Sequence, residues 1–388
     1  MAALKNSLTF IAMCLVLTLP ARAFDTSARA AFVMDLGTGT VLLSKNADEA
    51  LPPASMSKLM TLYVAFEAIK AGQLGLKEKL PVSEHAMSYG GSTMFLDTTD
   101  RVTVEDLLRG VIVLSGNDAC VVLAEALSPD GTEAGFARYM TQRAGQLGMT
   151  NSIFTNSNGW PDPNHVMSMR DLVLLARLLI EDFPDFYPMF AETEFAFDGR
   201  APQNTRNRNP LLRLDIGADG LKTGHTQASG YGLVGSAEQG DRRVIFAFSG
   251  LDSNSERAEQ AEAIINWSFR QFAEKTLIEE GEEVARANIW EGASTSVGLT
   301  PATELRTLVP ILGDDSVTAE IIYKGPIKAP VAQGDEIAEM VFAPAGLPEM
   351  RVPLVATEDV PRGGFLVRLK TAGLTLFRQL RDGPEGAL

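Results

Sequence analysis

The stretch Pro52-Pro53-Ala54-Ser55-Met56-Ser57-Lys58 precedes a run of apolar residues at helical spacing, from Leu59 to Ile69. Proline is tolerated before and within the first turn of a helix, so this pattern predicts a helix from about Ser57. Residues three apart lie on one face of a helix, which brings the Lys58 amine within reach of the Ser55 hydroxyl. The stretch therefore predicts a serine nucleophile at a helix start, although a lone Ser55 is equally typical of a helix cap.

Lysine can act as the base for such a serine when burial or neighbouring cations lower its pKa towards neutrality. Of the eleven lysines in the chain, only Lys58 has a serine three positions before it. The commoner base is histidine, but the chain has 3 histidines and no Gly-x-Ser-x-Gly nucleophile elbow. Nothing in the sequence thus supports a Ser-His-Asp triad, and Ser55 with Lys58 is the favoured pair.

Two further motifs supply other groups that a serine hydrolase needs. Leu114-Ser115-Gly116-Asn117-Asp118 is predicted to lie in a loop between two helices, where the Ser115 hydroxyl can relay a proton and the Asn117 amide can bind substrate. Lys222-Thr223-Gly224 falls on a predicted strand. There Lys222 adds positive charge, the Thr223 hydroxyl can bind a carboxylate, and Gly224 lets a substrate backbone approach closely.

Residues 24–285 mix helical and strand patterns and are expected to form one domain. Two short apolar runs, 31–34 and 41–43, flank the turn Gly37-Thr38-Gly39 and predict an antiparallel hairpin. Capping patterns predict helices over 107–114 and 172–180, and a helix is also expected over 256–272. Three more strands are predicted near 219–225, 230–237 and 243–249. Strands at both ends with helices between them indicate an α+β domain whose sheet is completed by the two ends of the chain.

The remaining segments differ from this domain in composition and in hydrophobic pattern. Residues 286–360 contain short apolar runs separated by Gly and Pro, which predicts a small all-β domain. Residues 361–388 include a basic, amphipathic pattern over 365–380, which predicts a helix lying in a membrane interface. Residues 1–23 have the order of a secretory signal peptide: a lysine, an apolar run of about a dozen residues and Ala21-Arg22-Ala23. We expect the protein to be exported.

The overall charge excludes some classes of function. Acidic residues outnumber basic ones by 49 to 34, giving a formal charge of -15, which disfavours binding to nucleic acid. With only 2 cysteines, the chain can form neither a disulfide framework nor a Cys-rich zinc site. We therefore expect no metal and no cofactor.

The order of the three motifs resembles the active-site signature of penicillin-binding proteins and serine β-lactamases. The longer strings Ala54 to Lys58, Gly110 to Cys120 (GVIVLSGNDAC) and Gly220 to Thr226 (GLKTGHT) are similar to those of low-molecular-mass, type-5 D-alanyl-D-alanine carboxypeptidases. This resemblance covers almost the whole chain after residue 23. It implies a transpeptidase/β-lactamase-like α+β domain, with an antiparallel sheet and a helical cluster, followed by a small all-β domain and a C-terminal amphipathic helix.

The same resemblance assigns the catalytic roles. Ser55 would attack the penultimate D-alanine carbonyl of a peptidoglycan stem pentapeptide, with Lys58 as the base. Ser115 and Asn117 would relay protons and hold the peptide, while Lys222 would tune the electrostatic field around Ser115. The expected reaction is removal of the terminal D-alanine through an acyl-enzyme.

Substrate-binding roles follow from the resemblance as well. The backbone N–H groups of Ser55 and His225, the residue after Gly224, would form the oxyanion hole. Thr223 would bind the terminal carboxylate together with Arg208. That arginine lies in Asn207-Arg208-Asn209, which resembles the family's Asn-Arg-Asn segment, although Pro210 follows where the family often has glycine.

Partners and location are implied in the same way. The expected partners are peptidoglycan stem peptides, β-lactam antibiotics as acylating inhibitors, and the membrane surface through the C-terminal helix. The expected location is the periplasm, with peripheral attachment to the outer face of the cytoplasmic membrane.

Three other functions remain open at this point. A class A β-lactamase needs a Glu-x-x-x-Asn arrangement, and no Asn between Ser115 and Lys222 has a Glu four positions before it. A D,D-endopeptidase of this fold usually lacks the second domain and the tail. A non-catalytic cell-wall scaffold would have no use for the intact pair of Ser55 and Lys58. The carboxypeptidase is therefore favoured.

Overall fold

The computed structural model describes residues 24–200 and 203–365. The predicted signal peptide, residues 1–23, lies outside these ranges, as does the predicted amphipathic helix from residue 366 onward. Within the described ranges, no helix is both long enough and apolar enough to cross a membrane. The described residues form an α+β domain, called the first domain here, followed by an all-β second domain.

The first domain contains seven strands and seven α-helices among its described residues. Their bounds are β1 Ala30–Asp35, β2 Val41–Lys45, α1 Lys58–Lys70, β3 Lys79–Pro81, α2 Glu84–Ser88, β4 Arg101–Thr103, α3 Val104–Arg109, α4 Asn117–Leu127, α5 Glu133–Gln146, α6 Met169–Asp182, β5 Ala218–Thr226, β6 Gly230–Gln239, β7 Arg242–Leu251 and α7 Asn254–Arg270. Short 3₁₀ helices at 54–57, 187–191 and 210–213 and a π-helix at 110–114 complete the set.

The main sheet is antiparallel and has the strand order β2-β1-β7-β6-β5. Strand β1 pairs with β7, for example Phe32 with Ala247, so both ends of the domain complete one sheet, as predicted. Alternate residues of a strand face opposite sides of a sheet. On β7, Ile245 and Ala247 pack into the core shared with the central helices, whereas Phe246 and Phe248 pack into the core shared with α7. The sheet is therefore buried on both faces.

Local capping signals set the helix starts as the sequence predicted. The Thr103 side chain accepts a hydrogen bond from the Asp106 N–H at the start of α3, and Ser168 does the same for Asp171 at the start of α6. The helix predicted to run to Leu114 instead changes after Arg109 into the π-helix. The helix predicted over 256–272 begins and ends two residues earlier, because its cap is Ser253.

The second domain is all-β, as predicted. Its strands are β8 Phe272–Ile278, β9 Ala285–Trp290, β10 Ser296–Pro301, β11 Leu305–Pro310, β12 Val317–Ile322, β13 Ile327–Lys328, β14 Glu336–Pro344 and β15 Met350–Ala356. They form a six-stranded sheet in the order β12-β14-β15-β10-β9-β13 and the pair β11-β8. Strand β8 lies within residues 24–285, the range expected for the first domain. That range was based on Gly and Pro content, which does not show where a strand begins to pair in another sheet.

A small polar contact joins the two domains. The Thr40 hydroxyl, in the turn between β1 and β2, lies 3.2 Å from the Thr307 hydroxyl and accepts a hydrogen bond from the Leu308 N–H at 3.0 Å. Both threonines are fully buried. The β1–β2 turn thus contacts β11 at the edge of the main sheet that is farthest from β5.

Candidate active site

Ser55 and Lys58 lie together at the start of α1. Ser55 belongs to the 3₁₀ helix at 54–57, which continues directly into α1. The Lys58 side chain is fully buried, and its Nζ donates to Ser55 Oγ at 2.9 Å, Asn117 Oδ1 at 2.8 Å and the Asn158 carbonyl at 2.5 Å. These three acceptors hold the amine against the serine hydroxyl. Asn158 belongs to no motif in the sequence, and only the fold places it here.

The surroundings of Lys58 shift the pKa of its amine towards neutrality. Burial, aided by the Arg208 cation, lowers the pKa of its amine to about 8, while Cys120 and the Asp118 and Glu133 carboxylates oppose the shift. At pH 7 roughly a tenth of the amine is then neutral, compared with less than a thousandth for an ordinary lysine. Lys58 can therefore accept a proton from Ser55 without any histidine.

The Ser115-Gly116-Asn117 segment joins the π-helix to α4. Ser115 ends the π-helix with φ 62° and ψ 34°, a left-handed conformation that is rare for serine and reverses the chain before α4. Asn117 Nδ2 donates to the Gly90 carbonyl at 2.8 Å, which leaves Oδ1 directed at Lys58. The Ser115 Oγ is buried and has no hydrogen-bond partner among the described residues. A buried hydroxyl of this kind is available to a ligand.

Strand β5 runs against the nucleophile segment and carries the third motif. A Cβ on Gly224 would lie 2.8 Å from the Pro53 carbonyl oxygen and 3.0 Å from Met56 Cγ, so glycine permits the close approach. Lys222 and Thr223 are buried on the same strand. Burial, with the charges of Lys58 and Arg208, holds the pKa of Lys222 well below its ordinary value. Two buried lysines therefore lie in one site.

Arg208 lies at the edge of this site. Its Nη1 donates to Ser92 Oγ at 2.5 Å, and the Ser92 carbonyl accepts from the Asn117 N–H at 2.7 Å. The neighbouring Asn209 Nδ2 donates to the Gly220 carbonyl at 2.8 Å and so ties the segment to β5. Pro210 occupies the first turn of a 3₁₀ helix, where proline is compatible with the backbone.

Arg257 of α7 is a further cation that the sequence reasoning missed. Its guanidinium is buried, lies 5.5 Å from the Tyr231 ring centre and hydrogen-bonds Asn254. Burial and the nearby charge of Arg208 together lower the pKa of Arg257 to about 10. The available signal was an arginine on the otherwise small and apolar buried face of α7, which comprises Arg257, Ala261, Ile264, Ile265 and Ser268.

His225 presents its ring to the surface of the site. The ring is exposed and stacks on Tyr231 with centres 3.9 Å apart. Among the described residues, no side-chain hydrogen bond joins this imidazole to Ser55 or Lys58. The geometry thus gives the ring no place in the contacts around the nucleophile.

A cleft of about 220 Å³ borders the nucleophile segment. Ala54, Gly159, Trp160 and Thr226 are among its lining residues. A larger cavity of about 670 Å³ lies between α1, α5 and α6 and is lined by none of the motif side chains. The motif side chains do not line the smaller cleft either, although Ala54 and Thr226 are close to them in the sequence. The convergence of the reactive groups, and not the size of a cavity, therefore identifies the active site.

Comparison with known proteins decides the family. The D-alanyl-D-alanine carboxypeptidase family, peptidase S11, matches residues 18–252. The chain belongs to this family. The C-terminal domain of penicillin-binding protein 5 matches residues 272–362, which contain the all-β second domain. The resemblance inferred from the three motifs is thereby confirmed, together with the two-domain order.

Individual relatives agree with this assignment. The chain is 35% identical to D-alanyl-D-alanine carboxypeptidase DacC of Escherichia coli, over 92% of this chain and 90% of the relative. The crystal structure of penicillin-binding protein 5 from Haemophilus influenzae has a TM-score of 0.73 at 32% identity, covering 87% of this chain and 98% of that one. Penicillin-binding protein D2 of Listeria monocytogenes, solved with ampicillin bound, has a TM-score of 0.57 at 31% identity and covers 63% and 98%.

Proposed function

We propose that this peptidase S11 member removes the terminal D-alanine of peptidoglycan stem pentapeptides through an acyl-enzyme on Ser55. The observation that carries the proposal is the buried Lys58 Nζ, 2.9 Å from Ser55 Oγ. Lys58 takes the Ser55 proton as Oγ attacks the penultimate D-alanine carbonyl carbon. The C–N bond then breaks, the leaving amine takes a proton, and D-alanine departs. Water hydrolyses the ester and restores the Ser55 hydroxyl.

The other motif residues support the same reaction. The backbone N–H groups of Ser55 and His225 stabilise the oxyanion, since charge that develops beside fixed N–H dipoles is stabilised most strongly in the transition state. Asn117 orients Lys58 through its Oδ1 and holds the peptide. Ser115, whose buried hydroxyl has no hydrogen-bond partner among the described residues, relays a proton to the leaving amine.

The cations around β5 suit a substrate with a free carboxylate. Arg208 approaches Lys222 closely enough to lower its pKa, and it does the same to Arg257. Such a group of cations is stabilised when an anion binds among them. We assign the terminal carboxylate to Thr223 and Arg208, with Arg257 adding to the positive field. A carboxypeptidase needs this recognition, whereas an endopeptidase cuts bonds that no free carboxylate follows.

Removing Arg208 should weaken recognition of that carboxylate. We expect kcat/KM for D-alanine release from diacyl-Lys-D-Ala-D-Ala to fall about 10- to 100-fold in Arg208→Ala, because a charge-assisted hydrogen bond is lost. The native protein should prefer this peptide to the same peptide ending in an amide, and the variant should lose most of that preference. Arg206→Ala is the matched control, since Arg206 is exposed and two residues away. An equal loss on both substrates would contradict the assignment.

β-Lactam antibiotics should acylate the same serine. The ampicillin-bound structure of the Listeria relative supports this, because the two chains share the fold at 31% identity. We therefore propose that penicillins form a covalent ester with Ser55 and block release of D-alanine.

We propose in addition that the protein is exported, loses residues 1–23, and is held on the periplasmic face of the cytoplasmic membrane by residues 365–380. Deleting residues 365–388 should abolish binding to vesicles that contain anionic lipid, because the basic, amphipathic segment is removed. D-Alanine release in solution should be unchanged, which serves as the control for folding. If the shortened protein binds vesicles as strongly as the full mature chain, another surface attaches the protein to the membrane.

A further inference from the structure

Glu133, the first residue of α5, is a buried carboxylate that belongs to none of the three motifs. Only 6% of its surface is exposed. Its Oε1 accepts from the Ser157 N–H at 2.9 Å and from the Ser157 hydroxyl at 2.6 Å. Its Oε2 lies 2.8 Å from the Tyr89 hydroxyl, which donates to it, and 2.8 Å from His85 Nε2. At a helix start the backbone dipole also favours this negative charge.

The segment that Glu133 holds is the one that contacts the base. The Asn158 carbonyl accepts from Lys58 Nζ at 2.5 Å, and the Ser157 carbonyl accepts from the Thr61 hydroxyl at 2.5 Å. Two successive carbonyls of one loop therefore bind two successive turns of α1. Because Ser157 is tied to Glu133 on its other side, the carboxylate anchors this loop against the helix that carries Lys58.

We propose that Glu133 is a positioning residue for the base: it holds Ser157 and Asn158 so that the Asn158 carbonyl directs the Lys58 amine at Ser55. This inference rests on the proposed roles of Ser55 and Lys58. Glu133 acts through the loop and does not touch the substrate.

The position also has an electrostatic consequence. The Glu133 carboxylate raises the pKa of Lys58 and so opposes the effect of burial. Loss of its charge alone should therefore lower the pH at which Lys58 becomes neutral. The other charged or titratable groups that act on Lys58 are Cys120, Asp118, Arg208, Lys222 and His165, and those in contact with Glu133 are His85 and Tyr89.

Two substitutions separate position from charge. Glu133→Ala leaves the Ser157 N–H without its acceptor, whereas Glu133→Gln keeps an acceptor oxygen for Ser157, removes the charge and places an NH2 group where Oε2 faces Tyr89 and His85. The matched control is Glu125→Gln, because Glu125 of α4 is a half-buried carboxylate that bonds Ser83 instead of the Ser157–Asn158 loop. Each variant is made in the chain 24–388, and active sites are titrated with benzylpenicillin.

The measured quantity is the second-order rate of Ser55 acylation by benzylpenicillin between about pH 6 and 10. We expect Glu133→Ala to lower the plateau rate about 10- to 100-fold, because a small displacement of a reacting group is costly. Glu133→Gln should recover most of that rate and move the midpoint of the profile to lower pH. Glu125→Gln should match the native protein in both respects.

The proposal is overturned if Glu133→Ala keeps the native plateau rate per active site, or if Glu133→Gln loses as much of that rate as Glu133→Ala. A loss that only reflects unfolding would reduce the number of active sites without moving the midpoint, which also counts against it. If the proposed role of Ser55 is itself wrong, penicillin would still acylate the Ser55→Ala variant. This result distinguishes failure of the proposed function from failure of the Glu133 proposal.

Discussion

Ser55→Ala should lose essentially all D-alanine release from diacyl-Lys-D-Ala-D-Ala, a fall of about 10⁴-fold or more, as expected for removal of a nucleophile. Covalent labelling by penicillin should disappear as well, because Ser55 supplies the one hydroxyl among the described residues that hydrogen-bonds the buried Lys58 amine. The measurements are D-alanine release by the chain 24–388 and a mass spectrum of the penicillin-treated protein after digestion. The adduct should fall on the peptide that contains Ser55.

Ser57→Ala is the matched control for this experiment. Ser57 belongs to the same 3₁₀ helix, is fully buried, and donates to the Ala54 carbonyl at 3.2 Å instead of contacting Lys58. It should therefore keep most of the activity. A penicillin adduct on Ser115 or any other residue would refute the assignment of Ser55.

The second large effect concerns the base. In the native protein, the acylation rate should rise with pH through about 8, because the pKa of Lys58 is lowered to about 8 and only its neutral form accepts a proton. Lys58→Arg keeps the positive charge but stays protonated over this whole range. We expect it to lower the acylation rate about 10³-fold or more and to abolish the rise near pH 8.

Lys70→Arg tests whether the effect is specific to position 58. Lys70 ends the same helix, is exposed, and donates to the Asp182 carbonyl at 3.0 Å. The rate and its pH profile should stay native in this variant. If Lys58→Arg instead retained the rise near pH 8, another group would have to be the base, and the buried Lys222 would be tested next.

Much of the first domain could be predicted from local signals. The hairpin of β1 and β2 follows from two apolar runs around a Gly-rich turn, and the starts of α3 and α6 follow from Thr103 and Ser168 as caps. These features depend on residues only a few positions apart. The start of β8 at Phe272 was harder to predict, because membership of a sheet depends on a partner strand far away in the chain.

The sequence alone indicated the residues that we propose take part in the reaction. Ser55 and Lys58 are one helical turn apart, and the order of the three motifs is specific enough to indicate the family that the comparisons confirm. The meaning of this spacing can be inferred from the sequence alone, because the geometry of a helix is the same in every protein.

Only the tertiary structure decided how those residues are tuned and held. The pKa of Lys58 depends on complete burial and on charges from other elements, such as Arg208. The Asn158 carbonyl, the Glu133 carboxylate and the Arg257 guanidinium reach the site from three separate segments with no motif of their own. Desolvation and Coulomb interactions act through space, so residues distant in the chain set them and no local pattern records them.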